Sequence, residues 1–320
     1  MEAQSRPEAI NDLRLPLPTE FGQWNKFPPE LVRETVQHMD FEQLTTFRST
    51  SRIHDYETNK VLEERVDAQL THFGLEKGRI FEIMTKRHAF ISGSVALVVL
   101  FPGEAFIPGD IDFYVGEEYH DQFVNDVLSS TKYTETPLPS GTTTTVLFRD
   151  GYPLENAGIK SVKWLQHAEK KTKMNIIQIE LPEVMAAVFQ FYSTLLMNVI
   201  TPVGVGCGYP RLTMKKAGVL KERPMEKAHK VALNQDKYWA RGFDIWPTWT
   251  CEPVKRLLAG HKQGDKCCPQ QRRTLRTKDG FLWMSFKEDR GVDLKLFLPD
   301  IAWLNDPKSI VNDNSHTCTN

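Results

Sequence analysis

The chain has 320 residues, of which 40% are hydrophobic and 25% charged, so it can bury a large core and has the composition of an ordinary globular protein. The formal net charge of -1 gives no overall attraction to nucleic acid or to an anionic membrane, so any polyanion site must be local. The five cysteines lack regular spacing and no apolar run can span a bilayer, so we expect a soluble, cytoplasmic or nuclear protein without a membrane partner.

The first part of the chain predicts a flexible lead and then a helical unit. Residues 1–24 are rich in proline, glutamate and arginine and show little periodicity. Residues 25–70 look helical, because Pro29 suits the first turn of a helix and Asp40 has the capping-box spacing to Gln43 that starts a second helix. A third, strongly charged helix is expected to follow and to end this unit.

From about residue 72 the pattern changes to mixed α/β. The fold class is therefore α+β, with a mixed sheet and flanking helices over 72–250 and a C-terminal extension of short strands and a flexible tail over 251–320. The predicted order is a helix near 80–84, a strand over 88–91, a short helix over 95–100, a strand over 110–115, a helix over 120–128, strands over 143–148, 159–165 and 175–181, an apolar helix over 182–197, a basic helix near 222–239, and strands near 281–286 and 294–298.

Two aspartates at alternate positions of a predicted strand carry the chemistry. Side chains at i and i+2 of a strand point to the same face, so Asp110 and Asp112 lie side by side while Ile111 and Phe113 enter the core. Adjacent carboxylates repel each other unless a cation lies between them, and Mg²⁺ is the usual partner for oxygen ligands. The alternative is turn chemistry at a solvated strand edge, which is common for Asp-x-Asp beside a Pro-Gly loop.

A glycine-serine turn precedes this strand. Gly93 and Ser94 begin a short apolar helix, where backbone N–H groups and the serine hydroxyl can hold a phosphate. The order of strand, Gly93-Ser94, helix and Asp110-Ile-Asp112 resembles the nucleotidyltransferase superfold. That resemblance implies that the aspartates bind divalent metal, and that a third acid on a later strand completes a two-metal site for a nucleoside triphosphate and a hydroxyl acceptor.

The position of the third acid is open. Glu180 is the candidate, and it would join Asp110 and Asp112 as the third catalytic residue. Glu180 stands at the end of its predicted strand, where it can instead belong to the start of the next helix. Gln178, on the same predicted face, can occupy the place of the acid. A neutral amide cannot supply the charge that a second Mg²⁺ needs, so one-metal binding or loss of catalysis remains an alternative.

Two further segments bear on this resemblance. The gap from Gly93 to Asp110 is longer than the family's usual spacing, and a loop over 101–109 must absorb the excess. The stretches 189–201, 208–213 and 237–243 are similar to a large group of uncharacterised fungal proteins that share this core. This second likeness supports the fold and implies no established activity.

The N-terminal segment contains Phe27-Pro-Pro-Glu-Leu-Val32, then Met39-Asp-Phe41, and then Phe47-Arg-Ser-Thr-Ser-Arg52. This pattern resembles an F-box, whose motif runs Leu-Pro-x-Glu-Leu, an aliphatic stripe, an Asp-led second helix and Val-Ser-Arg. In that family the unit docks on the small adaptor of cullin-based ubiquitin ligases. By this resemblance the apolar contacts with the adaptor would come from Phe27, Pro28, Leu31, Val36, Leu44 and Phe47. The alternative is a helical hairpin packed against the α/β domain, and an apolar face buried in that way is unavailable to an adaptor.

Three functions are consistent with these patterns. In the first, an F-box-like unit presents a nucleotidyltransferase-like, catalytically degenerate module that binds a target or a nucleotide. In the second, the protein is an active Mg²⁺-dependent enzyme that moves a nucleotidyl group from a triphosphate to a hydroxyl acceptor. In the third, the module is degenerate and has only structural or interaction duties.

Overall fold

The computed structural model describes residues 27–103, 105–136, 158–221, 228–249, 251–258, 273–275, 281–286, 297–299 and 301–303. Over these ranges the protein is mixed α+β, with helices first and then one large mixed sheet with flanking helices, as the sequence predicts. The predicted lead over 1–24 and the predicted strand over 143–148 lie outside the described residues, as does most of the one near 294–298. In the described part of the chain, no helix combines the length and apolar character needed to cross a membrane.

Four helices open the described chain: α1 (Pro29–Gln37), α2 (Phe41–Arg48), α3 (Arg52–His72) and α4 (Lys77–Lys86). The predicted capping box is confirmed at the start of α2. The Asp40 carboxylate accepts a hydrogen bond from the Gln43 backbone N–H at 2.9 Å, and the Gln43 side chain accepts one from the Asp40 N–H at 2.8 Å. These two bonds satisfy N–H groups that a helix start otherwise leaves without partners.

In the described residues that follow, strands alternate with helices. The strands there are β1 (Phe90–Ser92), β2 (Asp110–Gly116), β3 (Tyr133–Glu135), β4 (Ile159–His167), β5 (Lys173–Ile179), β6 (Asn198–Thr201), β7 (Gly204–Cys207), β8 (Ala217–Val219), β9 (Asp244–Trp246), β10 (Arg273–Thr274), β11 (Leu282–Ser285) and β12 (Ala302–Trp303). The α-helices in this described part are α5 (Gly93–Val98), α6 (His120–Ser130), α7 (Pro210–Thr213), α8 (Ala228–Trp239) and α9 (Glu252–Leu257).

Eight of the described strands form one sheet in the order β11-β7-β6-β1-β2-β5-β4-β3. β4 and β5 form an antiparallel hairpin, whereas β2 pairs with β5 in parallel. Asp112 and Asn175 are partners in that parallel register, and Ser92 on β1 is the partner of Asp112 on the other side. The centre of the sheet therefore places the Asp-x-Asp strand between the strand before the Gly-Ser turn and a later strand.

The two faces of the sheet have separate apolar layers. Ile111, Phe113 and Ile176 belong to the core that also contains the buried side chains of α1 to α6. Tyr114 and Ile177 belong to a second layer on the other face. Asp110 and Asp112 have the same parity along β2 as Tyr114, so the carboxylates lie on the face of this second layer.

The predicted apolar helix over 182–197 is wrong. The structure has two 3-10 helices there, Val184–Gln190 and Thr194–Leu196, and the chain then enters β6. The segment is apolar on most sides, and a continuous apolar run does not distinguish a buried helix from other buried chain. The predicted helix near 222–239 is described as α8 from Ala228, and the predicted strand near 281–286 is confirmed as β11.

The N-terminal helices and the sheet share one core. Val36 on α1 and Leu44 on α2 are fully buried in the same cluster as Ile111 and Phe113. The first N–H of α2, from Phe41, donates a hydrogen bond of 2.8 Å to the Leu100 carbonyl just after α5. The helical unit is therefore packed onto the α/β part of the protein, as the alternative interpretation of the sequence expects.

Candidate functional site

The candidate site lies at the beginning of β2. Asp110 and Asp112 are both half-buried and share one face of the strand. The loop over 101–109 that leads to them contains neither helix nor strand in its described residues, so it absorbs the long gap after the Gly-Ser turn. The structure thus brings the two predicted metal ligands together at the end of the central strand β2 that this loop enters.

Asn175 joins the two carboxylates. Its side-chain amide Nδ2 donates a hydrogen bond of 2.8 Å to Oδ1 of Asp112 and one of 3.3 Å to Oδ2 of Asp110. The residue is only 6% exposed and lies directly opposite Asp112 in the parallel register. One neutral amide therefore offers both of its N–H groups to two negative charges, which offsets part of their mutual repulsion.

The structure does not bring Gln178 or Glu180 to the aspartates. Gln178 is the partner of Val115, so it lies on the opposite face of the sheet, where its amide oxygen accepts a hydrogen bond of 2.6 Å from Ser161. Glu180 follows the end of β5 and is exposed. It stands five residues beyond Asn175, or about 16 Å along an extended chain. The β5 residue that meets the two aspartates is therefore the neutral Asn175, and neither Glu180 nor Gln178.

Gly93 and Ser94 do lie at the site. Gly93 has φ of +73°, and a Cβ placed on it would lie 2.6 Å from Oδ2 of Asp112, so only glycine allows the chain to approach the carboxylate this closely. Ser94 is 4% exposed, and its Oγ has no hydrogen-bond partner among the described residues. A buried hydroxyl of this kind is normally hydrogen-bonded, and the Ser94 hydroxyl is able to donate to a ligand oxygen at this place.

Two buried tyrosines complete the surroundings of the aspartates. Burial raises the pKa of Tyr114 well above its usual value, and the charges of Asp112 and Asp110 raise it further. Burial also raises the pKa of Tyr238 on α8, which the charge of Arg241 lowers and the same two aspartates raise. The Tyr114 hydroxyl has no hydrogen-bond partner among the described residues. Both phenols therefore stay protonated at neutral pH and can act as hydrogen-bond donors.

The donor set fits one hard cation. The described residues contain no group of three His, Cys, Asp or Glu side chains placed to hold a metal ion, so the set here is two carboxylates and an amide. Carboxylate and amide oxygens are ligands that Mg²⁺ and Mn²⁺ accept, with water and phosphate oxygens filling the remaining positions. The amide oxygen of Asn175 would become a ligand if the amide rotated its N–H groups away from the aspartates.

The six residues predicted to contact an adaptor fall into two groups. Val36 and Leu44 are fully buried in the protein's own core, and this burial removes them from any adaptor surface. Phe47 is half-buried and stacks on His54 with ring centroids 4.1 Å apart. Phe27, Pro28 and Leu31 are exposed. The structure thus separates the inward side of α1 and α2 from an outward apolar side.

A separate groove lies away from the aspartates. It has a volume of about 550 Å³ and is lined by α4, the end of α6 and the β4–β5 turn. The Glu76 carboxylate accepts the N–H groups of Gly78 and Arg79, and Lys170 Nζ donates to the Thr71 carbonyl. Because these polar groups already have hydrogen-bond partners in the protein, the groove is a weaker candidate for a ligand site than the aspartates.

Comparison with protein-family models, with curated proteins and with solved structures gives no match.

Proposed function

We propose that this protein binds a nucleoside triphosphate through a single divalent cation held by Asp110 and Asp112. In this proposal the site belongs to a nucleotidyltransferase-like module that lacks the second metal of an active transferase. The observation that carries the proposal is the bridge from Asn175 to both carboxylates, made from the strand that pairs in parallel with the Asp-x-Asp strand.

The charge of the protein ligands decides whether the site holds one metal ion or two. Two-metal phosphoryl transfer uses one cation on the attacking oxygen and another on the leaving oxygen, and both need anionic protein ligands. Asp110 and Asp112 provide two negative charges, which one Mg²⁺ neutralises, while Asn175 provides none. The site therefore favours binding over transfer, and the active transferase is the alternative that the following experiments separate from it.

A metal titration tests this proposal. We expect Mn²⁺ to bind with a stoichiometry of one per chain, and ATP to bind in Mg²⁺ buffer but not in EDTA. Asp112→Asn removes one of the two charged ligands and is expected to weaken Mn²⁺ binding by about 10-fold or more. Binding is measured by titration calorimetry and by the loss of the free Mn²⁺ electron paramagnetic resonance signal.

Glu180→Gln is the matched control for this titration. It removes one carboxylate charge from the residue that the sequence offers as the third acid and that the structure places beyond β5. We expect Glu180→Gln to bind Mn²⁺ as the wild type does. A stoichiometry of two, or an equal loss in Glu180→Gln, would favour the two-metal transferase, and no binding of triphosphate under any condition would remove the proposal.

We also propose that the N-terminal helices dock on the small adaptor of a cullin-based ubiquitin ligase. Of the large apolar side chains that are exposed among the described residues, four belong to this unit: Phe27, Leu31, Ile53 and Tyr56. They lie just before α1, in its first turn and in the first turns of α3, and these two helices contact each other. Exposed apolar side chains on neighbouring helices are typical of a protein-protein contact. The buried Val36 and Leu44 would support this surface from inside.

Leu31→Asp tests the adaptor contact. Leu31 is 52% exposed, so a charge there leaves the core intact but disrupts an apolar interface, and we expect retention on the immobilised purified adaptor to fall about 10-fold or more. Ile107→Asp is the matched control, since Ile107 is 63% exposed but lies in the loop before β2. An absence of retention for the wild type, or an equal loss for both variants, would contradict adaptor docking.

A further inference from the structure

We infer that Arg241 is the anion-binding residue of the aspartate site and holds the polyphosphate part of the ligand whose cation Asp110 and Asp112 bind. This inference rests on the proposed function and names the protein group that recognises the phosphate chain. Arg241 follows α8, which is far from the Gly-Ser and Asp-x-Asp segments in sequence.

The guanidinium of Arg241 is fixed in position by aromatic rings. Its Cζ lies 4.3 Å from the ring centroid of Phe106 and 5.3 Å from that of Tyr238. Phe106 belongs to the loop that leads into Asp110, and its ring packs edge-on against Phe243. A stacked guanidinium loses little further freedom when it binds an anion, and its planar fork matches the geometry of phosphate oxygens.

The backbone around Arg241 holds this arrangement in place. The Arg241 and Phe243 N–H groups both donate to the Tyr238 carbonyl, at 3.0 and 2.9 Å, and thereby close the end of α8. Gly242 between them has φ of +79°, the left-handed conformation that terminates helices. Phe243 is fully buried, so the position of Arg241 is set by the core rather than by a loose loop.

Arg241 lacks a full set of partners. Its Nη1 is buried and has no hydrogen-bond partner among the described residues, and no described carboxylate lies within ion-pair distance of it. The Ser94 Oγ and the Tyr114 hydroxyl are also buried and without partners in the described chain. A buried guanidinium nitrogen without a partner is costly, and an anionic ligand removes that cost.

Phe106 links Arg241 to the aspartates, because its ring contacts the guanidinium at 4.3 Å and its loop enters β2 at Asp110. In agreement with this placement, the charges of Arg241, Asp112 and Asp110 all act on the pKa of the buried Tyr238 phenol. Arg241 nevertheless makes no ion pair with either aspartate. A metal-polyphosphate complex fits this separation, because its cation binds the carboxylates while its oxygens bind the guanidinium.

The test uses inorganic tripolyphosphate as the probe and the full chain as the protein. In Mg²⁺ buffer we expect Arg241→Met to weaken tripolyphosphate binding by about 10-fold or more. Arg241→Gln is a second variant, because its planar amide retains contact with Phe106 while the charge is lost, and the same weakening is expected. Arg79→Met is the matched control, since it removes a cation from the separate groove at α4 and should leave binding unchanged.

A second arm in EDTA separates this inference from the proposed function. Without a cation, the aspartates repel the probe, so Asp112→Asn should strengthen tripolyphosphate binding in EDTA and weaken it in Mg²⁺. Dependence on Arg241 in both buffers, without this reversal, would support the anion site and remove the metal site. The inference would be overturned if the wild type, Arg241→Met and Arg241→Gln bound tripolyphosphate equally, or if none of them bound it in either buffer. It would also be overturned if Arg79→Met, rather than the Arg241 variants, lost binding.

Discussion

Asn175→Asp is expected to make the metal-free protein markedly less stable and to make its stability depend on divalent cations. The substitution removes two hydrogen bonds to carboxylates and places a third negative charge in a position that is 6% exposed. We expect a loss of about 2–4 kcal/mol in the free energy of unfolding in EDTA. Mn²⁺ should restore the lost stability. It should also bind the variant at least about 10-fold more tightly than the wild type, because three carboxylates then surround the cation.

The measurement is urea unfolding in EDTA and in Mn²⁺, followed by circular dichroism. Asn59→Asp is the matched control, since Asn59 is also buried and its Nδ2 donates to the Asp55 carboxylate at 3.1 Å, in α3. It should lose stability in EDTA and regain none in Mn²⁺. If Mn²⁺ restored the stability of neither variant, or if Asn175→Asp were as stable as the wild type in EDTA, Asn175 would not occupy a cation site.

Gly93→Ala is expected to remove metal binding and to destabilise the protein. Its φ of +73° costs an L-residue about 1–2 kcal/mol, and the new Cβ would lie 2.6 Å from Oδ2 of Asp112, so that carboxylate must move. Urea unfolding and Mn²⁺ titration measure the two effects separately.

Gly103→Ala isolates the effect of the close approach. Gly103 has φ of +66°, and a Cβ there would meet no atom of the described residues beyond its chain neighbours within 4 Å, so this variant isolates the backbone cost. We expect it to lose stability by about 1–2 kcal/mol and to bind Mn²⁺ normally. Equal Mn²⁺ binding by the two variants would show that the contact between Gly93 and Asp112 is not needed for the site.

The Gly93-Ser94 turn and the strand with Asp110 and Asp112 were predictable because each is specified by a few neighbouring residues. The strand before Gly93, the short helix after it and the strand that begins at Asp110 all occur close to their predicted bounds. Glycine, serine and alternating aspartates have strong conformational or chemical preferences over a few residues, so a single sequence indicates them.

The partner of the aspartates was not predictable in the same way. Asn175 lies 63 residues after Asp112, and it reaches the site only through the parallel register of β2 and β5. Alternation along β5 shows which residues share a face, but the pairing decides which face meets the aspartates, and a shift of one residue exchanges the two. The same limit applies to Arg241, whose place depends on the packing of Phe106 and Tyr238.

The hydrogen bond from Phe41 to Leu100 bears on how a docked partner would be held. Because α2 is bonded to the segment that begins at Gly93, and Val36 and Leu44 are buried in the same core as the sheet, the N-terminal helices are not a separable module on a tether. A protein bound at Leu31 would meet the aspartate site at a set distance and angle. If the proposed ligase docks there, this fixed attachment would limit the target surfaces that it could reach, whereas a flexible linker would let it reach many.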